Sequence, residues 1–81
     1  MSVETTLGTL PTGTAARILR LSSAAPPDVS TRLRHLGFRS GTQVIKLRTG
    51  PLGDPSVYRL LGYEACLRRK EADYLSVELG E

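Results

Sequence analysis

Thr42-Gln-Val-Ile-Lys-Leu-Arg-Thr-Gly-Pro-Leu-Gly-Asp-Pro-Ser-Val-Tyr-Arg-Leu-Leu61 holds two runs of strand-type sequence joined by turn chemistry. From Gln43 to Arg48, Ile45 and Leu47 oppose Lys46 and Arg48, the alternation of a strand that buries one face, and Thr42 begins it. Thr49-Gly-Pro-Leu-Gly-Asp-Pro55 carries two glycines and two prolines in seven residues, which no sheet interior accepts. It predicts a hairpin loop. Ser56 to Leu61 is then the returning strand, with Tyr58 and Leu60 sharing the inward face and Val57 and Leu61 the outward one.

Upstream of this hairpin, Val29, Leu33 and Leu36 recur at i, i+4 and i+7, a helical stripe over residues 28–36. Asp28 is the candidate N-cap. Gly37 is placed to take the left-handed conformation that closes the helix, and Phe38 to fold back on it. Ahead of the helix, Ser22 to Pro27 reads as a loop and Ala15 to Leu21 as a strand. Residues 1–14 read as an extended arm and a turn, anchored by Val3, Leu7 and Leu10.

Downstream, Gly62 ends the returning strand. Ala65 to Arg68 predicts a short fourth strand, Glu71-Ala72-Asp73 one helical turn, and Tyr74 to Leu79 a last strand with Leu75, Val77 and Leu79 on one side. The expected fold is mainly β: an SH3-like small barrel of about five strands with one short helix between the first two. Closing the sheet hides edges that a small open sheet would expose.

The whole chain is 81 residues, 40% hydrophobic and 5% aromatic, which fits a single domain over residues 1–81 and excludes two-domain enzymes. A core of this size supplies only about 3–5 kcal/mol of net stability, so little strain can be stored in a pre-organised active site. Eleven Lys and Arg stand against eight Asp and Glu, for a net charge of +3, but the signs are interleaved. One cysteine, Cys66, forms no internal disulfide, and no signal peptide or apolar span is evident; these features point to a soluble cytoplasmic protein.

No phosphate loop, nucleophile elbow or dinucleotide fingerprint is present, so no catalytic residues and no cofactor are expected. His35 and Cys66 are single copies, read as a solvent-facing helix residue and a partly buried strand residue rather than as metal ligands. Asp54 is placed to cap N–H groups of its own turn. Arg32, Arg34 and Arg39 around the helix, and Arg68, Arg69 and Lys70 after the fourth strand, make two basic spots. Phe38, Tyr58, Tyr63 and Tyr74 are too dispersed to predict a nucleic-acid platform. Leu52, Val57 and Leu61, outward-facing or on the loop, are the candidate docking residues, with Arg39 and Arg68 beside them.

Leu10-Pro-x-Gly13, Arg32-Leu-x-x-Leu-Gly-Phe38, Gly41 before a strand, Gly50-Pro-Leu-Gly-Asp-Pro55, Gly62, and Leu67-Arg68 with Glu71-Ala72 resemble, in order and spacing, the ferrous iron transport protein A (FeoA) family. The likeness covers nearly the whole chain. It departs from the pattern at the Ala/Pro-rich loop of residues 22–27 and at Ser56, where an aliphatic residue is usual. What it implies is a non-enzymatic bacterial barrel that binds the membrane ferrous iron transporter FeoB and acts on its G-protein activity or assembly. Nucleic acid is not an expected partner, and weak self-association is a further expected contact. The contrasting reading is a nucleic-acid-binding or iron-dependent regulatory module. Arg39, Leu52, Val57, Leu61 and Arg68 are the expected transporter contacts, placed by exposure and not by the likeness.

Overall fold

The computed structural model describes residues 3–79. Six strands, β1 (Val3–Thr6), β2 (Ala15–Leu21), β3 (Gln43–Thr49), β4 (Ser56–Leu60), β5 (Tyr63–Leu67) and β6 (Leu75–Leu79), form one sheet in the order β1-β6-β2-β3-β4-β5. Every neighbouring pair is antiparallel. Helix α1 (Pro27–Leu36) links β2 to β3, α2 (Arg69–Ala72) links β5 to β6, and a 3-10 turn covers Leu7–Thr9. The sheet coils around a core drawn from nearly every element, in which Leu7, Ile18, Leu33, Phe38, Tyr58, Leu75 and Val77 are at most 1% exposed.

The strand count is six rather than five, because the N-terminal arm is itself a strand. Val3 pairs with Leu79 and Thr6 with Ser76, so β1 covers an edge that β6 would otherwise present to solvent. Leu7 and Leu10, both buried, hold the arm down. Met1 and Ser2 of the arm, and Gly80 and Glu81 at the other end, lie outside the described residues. The opposite edge, β5, is flanked by α1: Arg32 donates to the Cys66 carbonyl at 3.5 Å, and the Tyr63 hydroxyl donates to the Leu36 carbonyl.

Helix α1 follows the expected stripe, with Leu33 fully buried and Val29 and Leu36 packed against the core. Its start differs. Pro26 occupies the N-cap position and Pro27 the first turn, so Asp28 lies inside the helix and favours it through its charge near the N-terminal dipole, without a capping hydrogen bond. The other end is as expected: Gly37 has φ +103°, and its N–H and that of Phe38 bond the Arg34 and Leu33 carbonyls.

Two strands shift from their expected bounds. β4 stops at Leu60, and β5 begins at Tyr63, not Ala65, because Leu61-Gly62, with φ +51° and +83°, forms a two-residue hairpin turn. Arg68 leaves β5 in extended conformation as the N-cap of α2, where Glu71 accepts its N–H at 3.0 Å. The single helical turn is therefore Arg69–Ala72, and Tyr74 precedes β6.

The facing of β3 is reversed. Val44 and Lys46 point inward while Ile45 and Leu47 are half-buried on the other side, and the register slips between Lys46 and Arg48. A lysine can take this place because its long hydrocarbon stem packs along apolar surface, although the charge it carries is itself partly desolvated there. Ser56, the residue that departs from the family pattern, is also buried, and its hydroxyl shares a 3.2 Å hydrogen bond with Thr49.

Candidate interaction surface

Leu61 is the residue whose presence folding does not explain. It is 70% exposed, and it is the only non-glycine among the described residues with positive φ. The first position of such a turn favours asparagine, aspartate or glycine, and a left-handed leucine costs about 1–2 kcal/mol. Its side chain reaches over the end of α1. A Cβ built on Gly37 would lie 2.6 Å from Leu61 Cδ1, so the glycine leaves room for the leucine. Leu36 below and Tyr63, 40% exposed, beside it extend the apolar surface. Arg39, just past the helix cap, donates from Nε to the Arg34 carbonyl at 3.1 Å, which holds its guanidinium at the same end of the molecule.

The five expected contact residues do not form one patch. Leu61 and Arg39 gather around Gly37. Leu52 is 95% exposed at the tip of the β3–β4 loop, at the opposite end of β4, a five-residue strand about 15 Å long. Arg68 belongs to that second end, since Leu67 pairs with Ser56. Val57 lies between them on the outward face, half-buried, with Arg48 and Cys66 as its cross-strand neighbours. That face is charged: Arg48 pairs with Glu64 at 3.1 Å, and Arg59 stands opposite Glu64. Tyr63 was not among the expected residues; its aromatic type in a turn-proximal position was the available signal.

Several expected roles change in detail. Asp54 does not cap its own turn. Its Oδ1 accepts the N–H of Arg69 at 2.9 Å and ties the β3–β4 loop to the start of α2. Cys66 is exposed, not partly buried, because it lies on the outward face of β5. His35 is solvent-facing on α1, and among the described residues no three His, Cys, Asp or Glu side chains gather as metal ligands do.

Within the basic spots Arg32 pairs with Glu71 and Arg69 lies 4.0 Å from Asp73; outside them Arg20 pairs with Glu4 and Arg17 with Glu78 at 2.6 Å. Phe38 and Tyr58 stack edge-to-face with centroids 6.4 Å apart inside the core, so neither offers a face to a nucleobase. Burial also holds the Tyr58 phenol above its ordinary 10.0, with a Ser56 hydrogen bond working against it. No helix among the described residues is long and apolar enough to cross a membrane.

A sequence model of the FeoA domain matches residues 5–79. The chain is 34% identical over 73 residues to a fusion of Fe(2+) transport protein A and Fe(2+) transporter FeoB from Porphyromonas gingivalis, a match covering 90% of this chain and 8% of that protein's length. Among solved structures, FeoA from Chlorobium tepidum shares 34% identity at a TM-score of 0.84, covering 94% of this chain and 70% of that one. Zinc-complexed FeoA from Stenotrophomonas maltophilia, described as a prokaryotic SH3 domain protein, shares 32% at a TM-score of 0.78, covering 89% and 87%. A manganese-dependent transcriptional repressor superimposes at a TM-score of 0.86 with 14% identity over 99% of this chain and 44% of that one, a likeness of fold alone. The SH3-like barrel and the match over nearly all described residues agree: the chain belongs to the FeoA domain family.

Proposed function

We propose that the protein is a non-enzymatic accessory factor of bacterial ferrous iron uptake, docking in the cytoplasm on a FeoB-type membrane transporter and acting on its G-protein activity or assembly. The observation that carries this reading is the Porphyromonas gingivalis relative, in which the matching segment and the transporter share one polypeptide. Fusing two chains raises their effective concentration, an advantage only where the parts meet. A standard interface takes about 800 Å² from each partner, roughly a sixth of the 4912 Å² surface here, so one end of the barrel suffices.

Leu61, beside Leu36 and Tyr63, is the proposed centre of that interface. Arg39 steers encounter from its rim. Leu52, Val57 and Arg68 belong to the proposal as outlying contacts, since the other end of β4 carries them. The test is capture of detergent-solubilised transporter by the immobilised chain. Wild type retains the transporter and Leu61→Asp, which keeps a residue tolerant of positive φ, releases it. Capture unchanged by Leu61→Asp overturns the surface, and absence of capture by wild type overturns the partner.

A further inference from the structure

On the side of α1 away from β5, strand β2 runs on past its partner β3. The β2–β3 pairing extends from Ala15–Ile45 to Arg17–Gln43, and the ladder closes where Ile18 donates to Thr42 and accepts from Gly41. Leu19, at a register slip, and Leu21 therefore have β6 on one side and, among the described residues, no strand on the other. The segment from Arg34 to Ser40 forms the facing wall. Between them lies an open groove of about 440 Å³, floored by Leu19, Leu21 and Phe38 and rimmed by Arg20, Arg34 and Arg39.

The rim charges are unequal in their partners. Arg20 is held by Glu4. Among the described residues, Arg34 and Arg39 meet no carboxylate within 4.0 Å, and Arg39 spends only its Nε on a backbone carbonyl. The larger groove across α1, about 640 Å³, differs: it carries Asp28 beside Arg32, and Arg32 is already paired with Glu71. Of these two grooves, the β2-side one combines an apolar floor with cations that meet no carboxylate among the described residues.

We infer that this groove receives an acidic amphipathic segment of a protein partner, with aliphatic side chains on Leu19 and Leu21 and carboxylates on Arg34 and Arg39. The inference rests on the reading of the chain as a docking module and gives the partner segment its chemistry. A second copy of this chain fits poorly, because a two-fold contact sets the same cations against each other. A flat anionic bilayer meets the arginines but not the recessed floor. Nucleic acid meets the arginines and finds no aromatic face to stack on.

The experiment is an amide-shift titration of the full ¹⁵N-labelled chain with a designed helical peptide of about 14 residues, four turns, carrying leucines on one face and glutamates beside them. Its control replaces each glutamate by glutamine. The expected result is perturbation at residues 19–21 and 34–40, with the glutamine peptide about fivefold to tenfold weaker, the loss of two exposed ion pairs. Arg34→Glu with Arg39→Glu abolishes binding of the glutamate peptide and admits one with lysines in their place. Equal affinity of both peptides, shifts confined to Leu61 and Tyr63, no shift at about 1 mM peptide, or shifts produced only by single-stranded RNA overturns the inference. Failure of wild type to capture the transporter overturns the proposed function, a result separate from this titration.

Discussion

Replacing Leu61 by asparagine separates what the residue does for the fold from what it does for a partner. At φ +51° leucine costs about 1–2 kcal/mol that asparagine, whose short polar side chain suits the left-handed region, largely avoids. Against this stands lost burial. Leu61 is 70% exposed, so only about a third of the roughly 1.5–3 kcal/mol from burying a leucine is at stake, some 0.5–1 kcal/mol. The net expectation is a gain of about 0.5–1 kcal/mol, or roughly 2–8 °C in Tm for a chain of this length. Thermal and urea denaturation of both proteins measure it, and transporter capture is read on the same samples. Stabilisation together with lost capture is the expected pair. A variant destabilised by more than about 1 kcal/mol shows that Leu61 is held for packing against Gly37, and the case for a docking residue fails.

Two glycines distinguish backbone conformation from crowding. Gly37→Ala should cost about 1–2 kcal/mol through its φ of +103°, and adding Leu61→Ala should recover little of it, because the exposed leucine can swing aside. Gly8→Ala should behave oppositely: its Cβ would lie 2.0 Å from Asp73 Oδ1, so removing that carboxylate with Asp73→Ala should recover most of the loss in a double-mutant cycle. Burial pulls the Lys46 ammonium below 10.5, Arg69 adding to the effect and Asp73 opposing it. The unfolded chain therefore holds this proton more tightly, and stability rises with pH from the lowered value up to 10.5. Lys46→Met should raise Tm at pH 7 by a margin that shrinks as pH approaches 10.5, read by melts at stepped pH; a margin independent of pH counts against a buried charge.

The fold was legible where one physical signal spoke alone. Leu75, Val77 and Leu79 alternate cleanly, Val29, Leu33 and Leu36 keep helical spacing, and Gly37-Phe38 closes the helix by the expected bonds. It was misread where two signals competed. In β3 the apolar residues Val44, Ile45 and Leu47 fit either face. Alternation favoured Ile45 and Leu47, but Lys46 stands opposite the buried Tyr58, where its long stem lies along the core, and Val44 shares that face. The arm was missed as a strand for a similar reason. Val3 to Thr6 has little hydrophobic pattern of its own, and its place comes from the open edge of β6, which no local sequence reveals.

The interaction surface was legible residue by residue but not as a surface. Exposure of Leu52 and Leu61 followed from their places in a loop and at a strand end, yet adjacency needed the length and direction of β4, which sends them to opposite ends. What singles out Leu61 is a conflict between levels. Its side chain suits burial and its position is exposed, while its backbone adopts a conformation that leucine resists. A barrel with about 3–5 kcal/mol to spare does not keep such a cost without a compensating contact, and the small contact over Gly37 returns only part of it. The remainder points outward, toward the same end of α1 at which Arg34 and Arg39 meet no carboxylate among the described residues. One helix terminus thus presents an apolar knob on its β5 side and a cationic, apolar-floored groove on its β2 side. A partner that engages both must wrap that terminus, so Leu61→Asp and Arg34→Glu should each weaken capture, and the pair together should weaken it by the product of the two factors if the contacts are independent.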